Sequence, residues 1–338
     1  MSKKNSNVNL KSTFKNNKEL NNIYLNFKKK IDKFKNKRFL LAISGGPDSL
    51  ALAALARAYN FEKKAKFYFA LVNHNIRTES ATEAKKTKKL LKKHKINLSI
   101  LTIKEKIIKD IQNQARKKRY EILKKFCLKK NIKVILTAHN LEDQVETFLI
   151  RLSRGSGLTG LSSMEQISNI TRKIKLLRPL LDVKKKDLTK ISKVVFGNYV
   201  KDPSNKNKKY LRSKIRSLRR PLHNSGINYD QIIKSINNLA SSKATLNNYF
   251  KRIFKESIKK NKGEIFINFK RFKTYNNEIK IELINKCIKD LKKNYYNLRA
   301  KKVVSLINRI EKKGFKKSSL GKCVFFVKKG YLCLKKEK

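Results

Sequence analysis

Ser44, Gly45, Gly46, Pro47, Asp48 and Ser49 stand directly between an apolar run, 39–43, and a helix-like stretch, 50–55. A strand that turns through adjacent glycines into a helix start presents backbone N–H groups and a positive dipole end to a phosphate. Ser44 and Ser49 add hydroxyl donors, Gly45 and Gly46 allow close backbone approach, and Asp48 supplies a hard oxygen suited to Mg²⁺. G-x-x-x-x-G-K-[ST] occurs nowhere in the chain, so the string is not a Walker A loop and γ-phosphate transfer is disfavoured. Its plain alternative is an ordinary strand-to-helix turn with Ser and Asp as caps.

A second set of chemistry-bearing residues follows another apolar run. His139 stands at its end, and Asp143 and Glu146 lie three apart, hence on one helix face. Arg116 and Arg119 are three apart on another helix. Each has a plain alternative: a satisfied buried histidine, carboxylates complementing a helix dipole, and solvated arginines.

The elements that must position these residues alternate. Apolar runs at 39–43, 67–73, 98–103 and 134–138 are each followed by apolar residues at three- and four-residue spacing, which predicts βαβα order. That order implies an α/β fold: a parallel twisted sheet with helices on both faces and ligands at the carboxyl ends of the strands. The segments beginning at Ser44, His74 and His139 then share one rim. A loop at 153–163, with Gly155, Gly157 and Gly160, is a candidate mobile lid or substrate-contacting loop. From about 184 the pattern turns helical, with a polar interruption at 202–207, a basic helix at 210–220 and a long helix at 229–260. A small mixed α+β unit closes the chain: a strand at 264–269, helices at 278–292 and 299–312, and a hairpin of 322–327 and 331–334. The expected division is a disordered polar tail at 1–18, a catalytic domain at 19–220 and a smaller domain at 221–338.

The 338 residues carry 86 Lys and Arg against 24 Asp and Glu, a formal charge of +62. Such an excess implies a polyanionic partner such as nucleic acid, although lysine drift in an AT-rich coding sequence supplies part of it. Four cysteines without a C-x-x-C pair indicate neither a zinc cluster nor a disulfide framework. An N-terminus without an apolar core and the lack of a membrane-length apolar run lead to the expectation of a cytoplasmic protein.

S-G-G-x-D-S after a buried strand resembles the PP-loop of the ATP pyrophosphatase superfamily, which cleaves ATP to AMP and pyrophosphate. Further segments resemble the bacterial tRNA(Ile)-lysidine synthases. Val72-Asn73-His74-Asn75-Ile76-Arg77 is similar to that family's V-D-H-x-x-R, and Ala115-Arg116-Lys117-Lys118-Arg119-Tyr120 to its A-R-x-x-R-Y. The longest likeness runs from Ala138-His139 through Glu142-Asp143-Gln144-Val145-Glu146-Thr147 to Arg151-Leu152-Ser153-Arg154-Gly155-Ser156-Gly157-Leu158. Arg178-Pro179-Leu180-Leu181, Asp202-Pro203-Ser204-Asn205, Arg212 with Arg216, and Ser319-Leu320-Gly321-Lys322-Cys323 continue it. Asn73 and Glu142 depart from the pattern, each standing where the family usually has Asp.

The resemblance implies ligation of L-lysine to the wobble cytidine of a CAU-anticodon tRNA(Ile), with ATP and Mg²⁺. It implies Ser44 to Ser49 as the ATP loop, and Asp48, Arg116, His139, Asp143 and Glu146 as catalytic residues. Asp48 and Asp143 are then the metal ligands, and Arg151, Arg154, Arg212 and Arg216 RNA contacts. The basic helix at 210–220, with Lys301, Lys302, Arg309 and Lys316, supplies further phosphate contacts. A homodimer is left open. Two alternatives stay beside this reading: a PP-loop tRNA thiolase, which would want cysteines near the loop, and a basic RNA-binding module without catalysis.

Overall fold

The computed structural model of the chain describes residue 14 and residues 16–35, 37–76, 79–103, 105, 110–200, 211–261, 263–292, 298 and 300–337. They form two compact units, residues 1–240 and 241–338.

The first unit is built on a six-stranded sheet in the order β3-β2-β1-β4-β6-β5. Its strands are β1 (Arg38–Ile43), β2 (Lys66–Asn73), β3 (Leu98–Thr102), β4 (Val134–Leu136), β5 (Ile167–Asn169) and β6 (Lys175–Leu177). Phe39, Leu40 and Leu41 are all buried, the near-continuous burial of a parallel strand covered on both faces. Leu40, Ala70 and Ile135 face Leu123 and Cys127 of α4 (Ile111–Lys129). Phe39, Leu41 and Leu71 face the side covered by α1 (Lys18–Asp32), α2 (Pro47–Glu62), α3 (Ser80–Lys93) and α7 (Lys185–Phe196).

β1 pairs in parallel with β2 on one side and β4 on the other. The chain therefore reverses its direction of winding between β1 and β4, and such a switch opens a crevice at the carboxyl ends of the two strands. The loop at 44–49 leaves β1 there. From β4 the chain passes His139 into α5 (Leu141–Leu152).

The sheet is mixed rather than wholly parallel, because β5 runs antiparallel to β6 at its edge. β5 and β6 are too short to show a period, and unlike the equally short β4 neither belongs to one of the apolar runs that mark the strands in the sequence. The expected tail is also shorter than 1–18: Phe14 is 2% exposed and its ring lies 5.7 Å from that of Tyr24. The rest of the tail before residue 16 lies outside the described residues.

Residues 201–210, including the polar interruption, also lie outside them. The basic segment beyond forms two short helices, α8 (Leu211–Ser217) and α9 (Arg219–Asn224), before α10 (Tyr229–Ser257). Ile232 and Ile236 of α10 pack on Leu141 and Val145 of α5. This apolar patch keeps the start of α10 in the first unit, so the division falls after Ala240 rather than at 220.

In the second unit β7 (Ile258–Asn261), β8 (Glu264–Asn268), β9 (Lys317–Leu320), β10 (Cys323–Lys328) and β11 (Tyr331–Lys336) form an antiparallel sheet, β7-β8-β11-β10-β9. α11 (Phe269–Thr274), α12 (Asn277–Leu291) and α13 (Ala300–Glu311) complete it. Lys329 and Gly330 take φ of 48° and 76°, the left-handed pair that a two-residue hairpin demands. Among the described residues no helix is long and apolar enough to cross a membrane.

Candidate active site

Gly46 caps α2 without a side chain to bond the first-turn amides, and Pro47 begins the helix. The N-terminal N–H groups of α2 thus keep the orientation that binds an anion. Ser49 Oγ donates to the Gly46 carbonyl at 2.9 Å and accepts from the Ser44 amide at 3.2 Å, which folds the loop on itself. Gly45 has φ +86°, and a Cβ there would lie 2.5 Å from Thr87 Oγ1. Thr87 is buried and donates that hydroxyl to the Glu83 carbonyl at 2.9 Å, so α3 is a wall behind the loop.

Asp48, in the first turn of α2, is half-buried, and one of its oxygens is buried without a hydrogen-bond partner in the described structure. Burial pushes its carboxyl up to about 6. The Lys185 cation and a hydrogen bond from Asn140 oppose the rise, while Asp143 and Glu142 add to it. These influences bring together α2, α5 and α7, three helices that begin at the same rim.

Asn140 and Asp143 form a capping box. The Asp143 amide donates to Asn140 Oδ1 at 2.9 Å, and the Asn140 amide donates to Asp143 Oδ2 at 3.1 Å. Asp143 thus has a local role at the helix start, where the sequence offers a dipole complement as the plain alternative, yet the cap occupies one oxygen only. Oδ1 of Asp143 lies 3.8 Å from Arg216 Nη2. Glu142 accepts the Lys185 amide at 2.8 Å and so bolts α7 to α5.

Glu146, 3% exposed, is held by two arginines. Arg216 donates through Nε at 2.6 Å and Nη2 at 3.2 Å, and Arg212 Nε lies 3.2 Å away. Burial raises the Glu146 carboxyl against the lowering pull of Arg216. Arg212 and Arg216, expected as RNA contacts, thus sit over the carboxylates of the site. The pairing spans 70 residues of chain, and no spacing in the sequence signals it.

His139 Nδ1 lies 2.9 Å from Thr137 Oγ1, and burial, opposed by Asp143, takes the ring down to about 4, leaving it neutral near pH 7. His74 is likewise pulled down to about 4 by burial and by Arg119, whose Nε and Nη2 donate to its Nε2 at 3.1 and 3.0 Å. Arg116 is exposed, 5.3 Å over the Tyr120 ring. Asn73 Oδ1 accepts the Asn75 amide at 3.0 Å, a turn an aspartate would make equally well, so the departure costs nothing locally.

The glycine loop, expected as a mobile lid or substrate-contacting loop, is tied to α5 at its far end. Residues 158–161 form a helical turn, α6 (Leu158–Leu161). Arg151 Nη1 donates to the Gly160 and Ser163 carbonyls at 2.6 and 2.9 Å, and Gln144 bonds both the amide and the carbonyl of Met164. Arg151, half-buried, is therefore a brace for the loop, while Arg154 is exposed. Two residues went unsingled as site candidates. Lys185 hides in the lysine run 184–186, and Arg178, 7% exposed, donates to the Glu165 carbonyl at 2.7 Å.

Among the described residues no group of three or more His, Cys, Asp or Glu is arranged around a metal position. The donor set still fits Mg²⁺, which takes one or two carboxylates and completes its shell with phosphates and water. Asp48 offers a buried oxygen without a partner, and Asp143 an oxygen outside its capping bond.

The PP-loop domain family matches residues 16–221. The chain belongs to the PP-loop family. In this PP-loop protein every candidate site residue, from Ser44 to Arg216, falls within the matched segment. The tRNA(Ile)-lysidine synthase of Wolbachia pipientis wMel is 33% identical over 284 residues, covering 83% of this chain and 66% of that one. That of Orientia tsutsugamushi (strain Boryong) is 36% identical over 202 residues, covering 58% and 45%. The PP-loop chain thus spans between under half and about two thirds of the length of these relatives. Among solved structures, a U34-tRNA thiolase from Methanococcus maripaludis shares the fold, with a TM-score of 0.55 at 18% identity over 66% of this chain and 78% of that one.

Proposed function

We propose that this chain is an ATP-dependent ligase that joins L-lysine to C2 of the wobble cytidine of CAU-anticodon tRNA(Ile), so that AUA is read. The observation that carries the reading is a glycine loop opening onto a helix N-terminus in the same unit as a buried carboxylate held by two arginines, Glu146 with Arg212 and Arg216. Likeness to tRNA(Ile)-lysidine synthases supports the choice of substrate.

Oxygen on C2 of cytosine is a poor leaving group and is first adenylated: it attacks the α-phosphate of ATP, and pyrophosphate departs. The lysine amine then displaces AMP at C2. Loop amides and the N-terminus of α2 hold the phosphates, with Lys185 adding a positive charge near Asp48. Asp48 and Asp143 would hold Mg²⁺, which when bound offsets charge on the departing pyrophosphate. An alternation of carboxylates and guanidinium groups matches a zwitterion: Arg212 and Arg216 suit the lysine carboxylate, Asp143 and Glu146 its ammonium groups. Asp143 or Glu146 takes the proton that the amine must lose before attack, while His139, lowered to about 4 by burial, stands neutral beside Thr137 as a hydrogen-bonding group. Arg116 is exposed at the start of α4, where it can reach an incoming nucleotide.

Sulfur delivery is less well supported. Cys127 of α4 is buried against the sheet and the other three cysteines are buried in the second unit. Product analysis tests the chemistry: with tRNA(Ile), Mg²⁺ and lysine, ATP must yield AMP and pyrophosphate, and Asp48→Ala must abolish both. ADP as the product would refute the reading.

A further inference from the structure

The outer face of the second unit's sheet carries side chains that a solvated face does not call for. Alternation sends Ile265 and Ile267 of β8, Phe325 of β10, and Leu332 and Leu334 of β11 into the core with α12 and α13. The opposite face of such a sheet is ordinarily polar. Here one row crosses all five strands: Lys259 opposite Phe266, Phe266 opposite Cys333, Cys333 opposite Phe326, and Phe326 opposite Lys317. Tyr331 stands in the next row, opposite Lys328, and its ring meets that of Phe266 edge-on at 6.4 Å.

Cations flank the rings. Lys335 Nζ lies 5.4 Å from the centre of Phe326, and Lys259 Nζ 5.9 Å from that of Tyr331. Phe266, Phe326 and Tyr331 are half-buried, and among the described residues none of them joins the hydrophobic core. Lys259, Lys317, Lys328 and Lys335 are exposed. A single surface aromatic needs no explanation, but three rings in adjoining rows between four lysines do.

We infer that this face binds unpaired RNA nucleotides, with bases stacked on Phe266, Phe326 and Tyr331 and phosphates against the flanking lysines. Rings accept any base face, and lysines supply the phosphate contacts that stacking lacks. Neighbouring strands lie about 4.8 Å apart, so Phe266 and Phe326, two strands apart, are separated by about 10 Å. That spacing suits two splayed bases, whereas a duplex keeps its base faces stacked inside. The surface is distinct from the exposed Lys301, Lys302 and Arg309 of α13, which covers the other face. It goes beyond the ligase reading and does not depend on it.

Fluorescence anisotropy of the full chain with a labelled single-stranded oligouridine, without ATP or lysine, tests the inference independently of catalysis. Phe326→Ala and Phe326→Leu should each weaken binding roughly ten-fold, while Phe326→Tyr keeps it. Lys259→Gln and Lys335→Gln should each lower the salt slope by about one. Circular dichroism and thermal melts of the variants guard against misfolding, and a Phe266→Leu variant repeats the test should Phe326→Ala fail to fold. Leucine variants that bind like the parent would overturn stacking. So would a duplex of equal length binding as tightly, or a concentration-dependent dimer that the phenylalanine variants abolish.

Discussion

Asp48 is the carboxylate whose burial couples the proposed chemistry to stability. The folded chain holds its proton up to about pH 6, whereas the unfolded chain releases it near 3.8. Between those values the folded state binds more protons, so stability falls as pH rises through the window and the penalty is complete above it. Asp48→Asn removes that penalty. Urea unfolding should show the variant more stable than the parent at pH 7.5 by up to about 3 kcal/mol, with the difference vanishing below pH 4. The same variant should lose ATP cleavage, and equal stability at both pH values would contradict the burial argument. Glu146 makes the opposite case. Arg216→Ala leaves it buried with Arg212 alone and should cost about 2 kcal/mol, part of which Glu146→Gln restores in the double variant. Additive losses would sink the coupling. Asp48, Asp143 and Glu146 were legible as candidates because the loop string and the helix spacing carry them. The role of Arg212 and Arg216 was not, since nothing local in a basic segment says whether it faces solvent or folds back on a distant carboxylate.

At the scale of elements, the loop works because α3 stands behind it. Gly45→Ala demands a left-handed alanine and drives its Cβ into Thr87 Oγ1, so ATP affinity should fall at least ten-fold. Thr87→Ala in the same chain relieves the contact but not the backbone strain, and should recover only part of the loss in a nucleotide titration. Full recovery would show that φ costs nothing there. A second test concerns the glycine loop: Arg151→Ala frees the Gly160 and Ser163 carbonyls, and limited proteolysis should then cut within 153–165 faster than in the parent. Unchanged cleavage would mean that Gln144 alone braces the segment. The buried strands β1 to β4 and their helices could be read from apolar periodicity. β5, β6 and β7, three or four residues each, could not, because runs that short show no period, whereas the equally short β4 belongs to the longer apolar run at 134–138. Glycines at 155, 157 and 160 suggested a mobile lid or a substrate-contacting loop, and could not show the bonds that Arg151 and Gln144, outside the loop, make to its far end.

Over the whole molecule, a charge of +62 sets a long-range expectation. Binding of tRNA should weaken roughly a thousand-fold between 50 and 200 mM salt, the behaviour of about six or more neutralised phosphates, and a flat salt response would contradict a broad RNA surface. Charge alone could announce a polyanion but not locate its contacts, because lysine is spread over both units. The boundary after Ala240 was illegible for a related reason: the apolar residues that tie α10 to α5 look like any helical stripe until their partner is known. One assay tests the lysine-transfer reading most directly. The purified 338-residue chain is incubated with Mg²⁺, ATP and labelled lysine, with unmodified CAU-bearing tRNA(Ile) or with tRNA(Met) as acceptor. One lysine per tRNA(Ile), one AMP released for each, and none on tRNA(Met) are expected. Retained tRNA binding without lysine transfer would contradict that reading.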